Sequence, residues 1–312
     1  MRPPPLPEGE AESRPAGRDR VRGAPSPERV QPLSRTASAV SASPSGRGRR
    51  IPLGRLVYLA VNALVLLFLL GPLGVVAVFA VNPTPFIQFP PVGVTTRGFQ
   101  KVFASPEFVN SLVLSLEVAA ATVVLAMLIG AGAALALARG GLPGARVLTA
   151  LFLAPLMLPA ILTGLALFQL VLSLGLGRPT WALVMGHTLV AVPYVIRTTL
   201  AVLADFDRRI EEGAASLGAP PLRIFGEVTL PLIRPGVIAG GVFAFIVSFD
   251  QFPISLFLVT PNRETLPIVM FNYMKFDLDG TIAAASMVSI LLALTVVLAI
   301  DRLVGLRATM KI

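Results

Sequence analysis

The side chains equipped for chemistry are few in this chain of 312 residues. It carries one histidine, His187, and no cysteine, so neither disulfides nor thiolate metal sites are available. His187 sits between Gly186 and Thr188 with no second histidine or acid near it in sequence. It reads as a packed, hydrogen-bonded residue rather than a metal ligand or proton relay, and no metal or other cofactor is expected. The chain has no G-x-x-x-x-G-K-[ST] run to cradle a nucleotide's phosphates, no H-E-x-x-H and no Ser-His signature, so no catalytic residue is assigned. What remains is charge in apolar surroundings. Glu117 and Asp250 lie inside long hydrophobic runs, where a charge at the bilayer centre costs about 2.5–3.5 kcal/mol on insertion scales and usually faces a bundle interior or an aqueous cavity. Both are candidates to line a path for a cation; the alternative is an acid held by neighbouring Ser, Thr or amide groups.

The elements around these acids follow from composition. Hydrophobic residues make up 54%, charged residues 14%, and mean hydropathy is +0.78. A soluble domain would carry about 25% charged residues, so the expectation is a polytopic, all-α membrane protein. The net charge of +9 does not indicate nucleic-acid binding, because ten of the 26 basic residues fall in the first fifty positions and most others flank apolar runs. Residues 1–50, rich in Pro, Ser, Arg and Gly, are too poor in apolar side chains to offset the entropy of ordering, and read as a disordered tail. Residues 51–312 form the membrane domain. Runs of about 20 apolar residues cross a bilayer, and six are found, near 55–81, 108–138, 146–173, 180–203, 236–259 and 280–302. Basic residues fix the orientation. With a cytoplasmic N-terminus the inside holds the tail plus Arg55, Arg139, Arg146, Arg208, Arg209, Arg223, Arg234, Arg302, Arg307 and Lys311. The outside holds Arg97, Lys101, Arg178, Arg263 and Lys275. Both termini are therefore expected inside.

One long polar interruption breaks the apolar chain, Ile210 to Pro235. It reads as two short helices. Asp207 can cap the first, with Glu211 and Glu212 at its positive end. Ile210, Ala214 and Leu217 recur at i, i+4 and i+7 to give a narrow apolar stripe. Gly218 is the expected left-handed stop and Pro221 the first residue of a second helix, along which Leu222, Phe225 and Val228 align until Pro231 ends it. This hairpin, residues 207–231, lies between spans four and five and faces the cytoplasm.

Glu212, Gly213, Ala214, three spacers, Gly218, nine spacers, then Val228-Thr229-Leu230-Pro231 resembles the EAA signature of ABC-importer permeases. Gly213 and Val228 stand where that signature has Ala and Ile. Asn110-Ser111-Leu112, A-L-A-L-A-R at 134–139, A-P-L-M-L-P-A-I at 154–161 and Gly186 to Thr198 are similar to the same family. Ser248 to Leu258 and Thr265 to Ile268 look like its spermidine/putrescine branch, although Asp250-Gln251 stands where many members have two adjacent acids. The resemblance covers about 55–305. It implies a type I ABC-importer permease with six transmembrane helices in a bacterial cytoplasmic (inner) membrane, and a coupling-helix hairpin docked in a groove of a cytosolic ATPase. The ATPase-coupling residues would be Glu212, Gly213, Ala214, Leu217, Gly218, Leu222, Phe225, Leu230 and Pro231. Partners would be two copies of that ATPase, a second permease subunit (homologous or identical) and an extracytoplasmic solute-binding protein. The implied cargo is a small solute, first a polyamine.

Two other classes compete. An ion-coupled carrier of a small cation would be expected to show internal repeats and several buried charges, and an intramembrane hydrolase would need the signatures noted above. The sequence favours the permease.

Overall fold

A computed structural model describes residues 53–84, 90–277 and 279–304. The expected tail at 1–50, and Arg307 and Lys311 of the orientation argument, lie outside the described residues. The chain divides into two units, Met1–Leu56 and Val57–Ile312; only the first turn of helix α1 represents the former.

The described residues are helical, joined by turns, with an isolated bridge between Thr260 and Arg263. In order they form α1 (Leu53–Ala80), α2 (Arg97–Ala104), α3 (Pro106–Arg139), α4 (Ala145–Leu153), α5 (Ala160–Ser173) and α6 (Thr180–Asp205). Then come α7 (Arg209–Ser216), α8 (Pro221–Ile224), a π-helical turn at Phe225–Thr229, α9 (Leu230–Phe249), α10 (Phe252–Leu258), α11 (Leu266–Phe276) and α12 (Gly280–Val304). Among the described residues five helices are long and apolar enough to cross a membrane, or six if the bent pair α4 and α5 counts as one.

Three expectations need correction. The third run is not one straight span, because its halves meet at 96°. Pro155 lies in a 3-10 turn and Pro159 caps α5, where missing donors and fixed φ prevent a continuous α ladder. The fifth run is not helical through 236–259: α9 stops at Phe249, Asp250 caps it, and α10 starts afresh at Phe252. Pro231 does not end the second arm of the polar hairpin. It lies in the first turn of α9, so Pro221–Phe249 passes as one apolar rod of 29 residues. The amide of Leu230 bonds back five residues to the carbonyl of Phe225, and this widened turn makes room for a proline ring that would clash in an ordinary α-turn. Helices α2, α10 and α11 were not foreseen.

The centre of the bundle is α3, α6 and α9, packed through Ala126, Ala134, Val195, Ile196, Ile233 and Ala244. Lipid supplies no hydrophobic drive between helices, so close approach of small residues must do so. A Cβ on Gly130 would lie 2.7 Å from the Val195 side chain, and one on Gly240 2.6 Å from the Val195 Cα. At the end near the start of α3, Lys101 on α2 donates to Asp279 at 2.8 Å, and Asp279 also accepts the Thr281 amide that opens α12. The bond to Asp279 raises the Lys101 pKa. Burial pushes the Asp279 pKa up, but the bonds from Lys101 and Thr281 outweigh it and hold the carboxyl below its usual range.

Gly240→Ala is expected to destabilise the bundle by about 1–3 kcal/mol through overpacking. Gly132→Ala, whose Cβ would meet nothing within 4 Å, should be neutral or gain up to about 1 kcal/mol from helix propensity. Thermal unfolding of the purified protein in detergent separates the two.

Candidate functional site

Local hydrogen bonds define both arms of the hairpin. Asp207 accepts the Arg209 amide at 3.0 Å, supplying the first helix with a cap. Glu211 and Glu212 occupy the first turn of α7. Gly218 adopts φ +84°, a left-handed conformation that would strain any residue with a Cβ, and Ala219 donates back to the carbonyl of Ala214 to close the helix end. Pro221 then opens α8.

The apolar side chains of this hairpin are not covered. Leu217 is 90% and Leu222 87% exposed, and Ile210 and Phe225 are about half exposed. An apolar pair at the tip of a polar loop is the kind of surface that protein partners cover. Glu212 pairs with Arg208 one turn earlier at 3.5 Å, with both side chains more than 60% exposed; such a pair contributes little to stability. Gly213 has open space around it. Leu230 and Pro231 belong to the base of the α9 rod instead of the tip.

The neighbouring acid, Glu211, behaves differently. It accepts from Thr229 Oγ1 at 2.7 Å and pairs with Arg139 at 3.3 Å. The Arg139 guanidinium lies 4.7 Å over the Phe206 ring. Sequence reasoning missed this cluster, for which two adjacent acids and an arginine closing α3 were the available signals.

Away from the hairpin, toward the end of α6 that begins at Thr180, two clefts hold the other candidate acids. A cleft of about 480 Å³ is lined by Glu107, Asn110, Glu117, Asn262, Arg263 and Glu264. Its three carboxylates face one guanidinium. Arg263 reaches Glu117 at 3.5 Å and donates to Thr180 Oγ1 at 3.1 Å, while Glu264 accepts from Asn272 at 3.3 Å. A second cleft, of about 610 Å³, has Asp250 among Phe249, Phe252, Met270, Phe271 and Met274. Asp250 has no side-chain hydrogen bond or ion pair among the described residues, and it lies at the end of α9 instead of inside a span. Helix α11 runs between the clefts, with Val269 lining the first and Met270 the second. Asp250 and Glu117 therefore line separate clefts.

His187 is fully buried, with Nδ1 2.9 Å from Ser248 Oγ and Nε2 3.0 Å from Ser255 Oγ. Ser255 gives its own proton to the carbonyl of Gln251, so it accepts from Nε2–H, and Nδ1 accepts from Ser248. The imidazole cross-links α6, α9 and α10 and has no free position for a ligand. No group of three or more potential metal-ligating side chains occurs among the described residues.

A family profile described as "Binding-protein-dependent transport system inner membrane component" matches residues 126–308. The putrescine transport system permease protein PotI of Escherichia coli K12 is 30% identical over 224 residues, covering 70% of this chain and 79% of that protein. The molybdenum transport system permease protein ModB of Mycobacterium bovis is 33% identical over 230 residues, covering 68% and 87%. In structure, a chain of a bacterial ABC transporter involved in the import of the acidic polysaccharide alginate superposes with a TM-score of 0.62. That match spans 81% of this chain and 98% of that chain at 17% identity, and it shows the shared fold.

Replacing His187 with Phe should leave Ser248 without its buried acceptor and Ser255 without its buried donor, costing about 1–3 kcal/mol. Ser248→Ala should cost less, since it strands only Nδ1. Unfolding midpoints in detergent test this order, and equal midpoints for natural chain and His187→Phe would reject the cross-link.

Proposed function

Because the chain belongs to the inner membrane components of binding-protein-dependent transport systems, we propose that it forms half of the path of an ATP-driven importer for a small organic cation, first a polyamine such as putrescine. As an ABC-importer permease it is a transport subunit of a multi-pass inner membrane assembly. In this reading two copies of a cytosolic ATPase dock on the hairpins of this chain and of a second permease, and a solute-binding protein delivers cargo from the far side. The orientation with both termini inside follows from the basic residues counted above.

The observation that carries the docking reading is the exposure of Leu217 and Leu222 at the tip of the capped hairpin. A groove on the ATPase would cover this pair and Phe225, while Glu212, unburdened by tertiary contacts, makes polar contacts at the rim. Gly218 supplies the sharp turn that keeps the tip narrow, and Gly213 and Ala214 keep the α7 face low. Leu230 and Pro231 set the start of the rod that carries the thrust away from the tip.

Cargo is read from charge. PotI and ModB differ in what they carry by name, putrescine against molybdenum; putrescine is a dication in neutral water, whereas dissolved molybdenum is an oxyanion. The two clefts hold Glu107, Glu117, Glu264 and Asp250 against one Arg263, an arrangement that attracts cations and repels oxyanions. Phe249 and Phe252 beside Asp250 add aromatic surface suited to an ammonium group, and Lys275, whose Nζ lies 4.3 Å over the Phe271 ring, already shows that pairing at the edge of the cleft.

Leu217→Asp with Leu222→Asp should abolish co-purification of the ATPase while leaving membrane insertion intact. In liposomes holding the complete transporter, Asp250→Asn should lower ATP-driven putrescine uptake about tenfold, the effect of losing one charged hydrogen bond of about 1.5 kcal/mol. Undiminished uptake would remove Asp250 from the path, ATP-driven molybdate uptake in place of putrescine would overturn the cargo assignment, and uptake driven by an ion gradient without ATP would overturn the importer mechanism.

A further inference from the structure

We propose that Arg139 and Glu211 are positioning residues for coupling: they fasten the hairpin to the end of α3, so that a force on the hairpin moves α3, α6 and α9 as one body. The proposal rests on the hairpin being the docking element for the motor.

The geometry is that of a latch. Arg139 is the last residue of α3, and its Nη1 lies 3.3 Å from Glu211 Oε2 with the two side chains only 18% and 17% exposed. The other oxygen of Glu211 accepts the Thr229 hydroxyl proton, so one carboxylate joins α3, α7 and the π-turn at the base of α9. The Phe206 ring beneath the guanidinium brings in the residue that caps α6. Every helix of the central trio therefore meets the hairpin at this one cluster. Among the described residues the Glu212 side chain, one residue on, pairs with Arg208 at the cap of its own helix. Neighbours on a helix point about 100° apart, and the two acids divide the work: Glu211 faces inward to the bundle, Glu212 outward.

Stability alone is a weak reason for such a pair. Burying two charges costs about as much as their attraction returns, and Arg139 Nε and Nη2 are buried without acceptors. What the pair supplies that apolar packing would not is a specific point of attachment: one Nη1···Oε2 contact of 3.3 Å draws α7 to the end of α3, and the Thr229 hydroxyl, bonded to the other carboxylate oxygen, fixes how Glu211 is turned. Without it, α7 would be held mainly by its short connections to α6 and α8. The π-turn beneath is the compliant point, and the Thr229 bond clamps it.

The chain has no cysteine, so a spin-label pair at Ala138→Cys and Ala215→Cys is unambiguous. The full chain is reconstituted in liposomes with its ATPase and binding protein. With Arg139 and Glu211 in place the inter-label distance distribution should be narrow. Arg139→Gln and Glu211→Gln should each broaden it and lower binding-protein-stimulated ATP hydrolysis about fivefold or more, the lower bound of ordinary inter-site coupling, while the ATPase still co-purifies. Arg139→Lys, which keeps the charge, should recover part of both. Should the Gln variants fail to fold, Arg139→Met with Glu211→Leu keeps the site packed without charge, and it too should broaden the distribution and lower stimulation. An unchanged distribution or unchanged stimulation in the folded variants overturns the proposal. Failure of the ATPase to co-purify with the natural chain would instead overturn the docking reading on which it rests.

Discussion

Hydrocarbon offers no partner to a backbone amide or carbonyl, and this one constraint governs where the chain departs from a straight helix. The central helices satisfy it by long ladders, continuous in α3 and short of one donor at Pro193 in α6 and at Pro235 in α9, and they approach closely because glycines at 130, 236 and 240 leave no Cβ between backbones. Where the helix stops altogether, other groups supply partners. At 250–252 the amide of Asp250 bonds to Ile246 and that of Gln251 to Ser248, while Ser255 reaches back to the Gln251 carbonyl. His187 then ties that serine to α6. At the foot of α9 the ladder widens by one residue and continues. A proline that would have cut the helix is thus absorbed, and the polar hairpin and the apolar rod become one mechanical element.

Much of this was legible from sequence where the signal is local. Gly218 announced a left-handed stop and Pro221 a first-turn position, because each follows from backbone sterics that neighbours cannot overrule. Long apolar runs announced α1, α3, α6 and α12 by length alone. Pro231 misled because the same residue ends one helix or begins another, depending on whether the turn before it widens. The choice between Glu211 and Glu212 was illegible for a different reason. Two identical acids in adjacent positions differ only by about 100° of helix rotation, and which one points at Arg139 is decided by packing between segments more than seventy residues apart. Helices α10 and α11 escaped notice because seven and eleven residues are too short to span a membrane; the α10 string is continuous with the fifth apolar run, and that of α11 falls between the fifth and the sixth.

Asp250 gains a different meaning from its position at a helix end. Inside a span, an acid would have to find its compensation across the bundle. At the last turn of α9 it lies instead beside a gap between two helices, in a cleft whose other walls are aromatic and thioether side chains. The negative end of α9 disfavours its charge while the amide end of α10 lies on its other side, and among the described residues no cationic side chain lines the cleft. A cation arriving there would relieve that imbalance, whereas an oxyanion would worsen it.

The rod from Pro221 to Phe249 joins these two chemistries. Twenty-nine residues at 1.5 Å per residue extend about 44 Å, with exposed Leu222 near one end and Asp250 just beyond the other. A helix of that length transmits displacement along its axis only if its foot cannot fold sideways. Its foot contains a π-turn and a proline, the features at which helices bend. In the proposed coupling a thrust would reach the Asp250 cleft only to the extent that the foot is braced, and among the described residues Glu211 is the acid that contacts it. In the proposed coupling, the buried ion pair, unrewarding as a source of stability, is what would let a push at the tip become movement at the cleft.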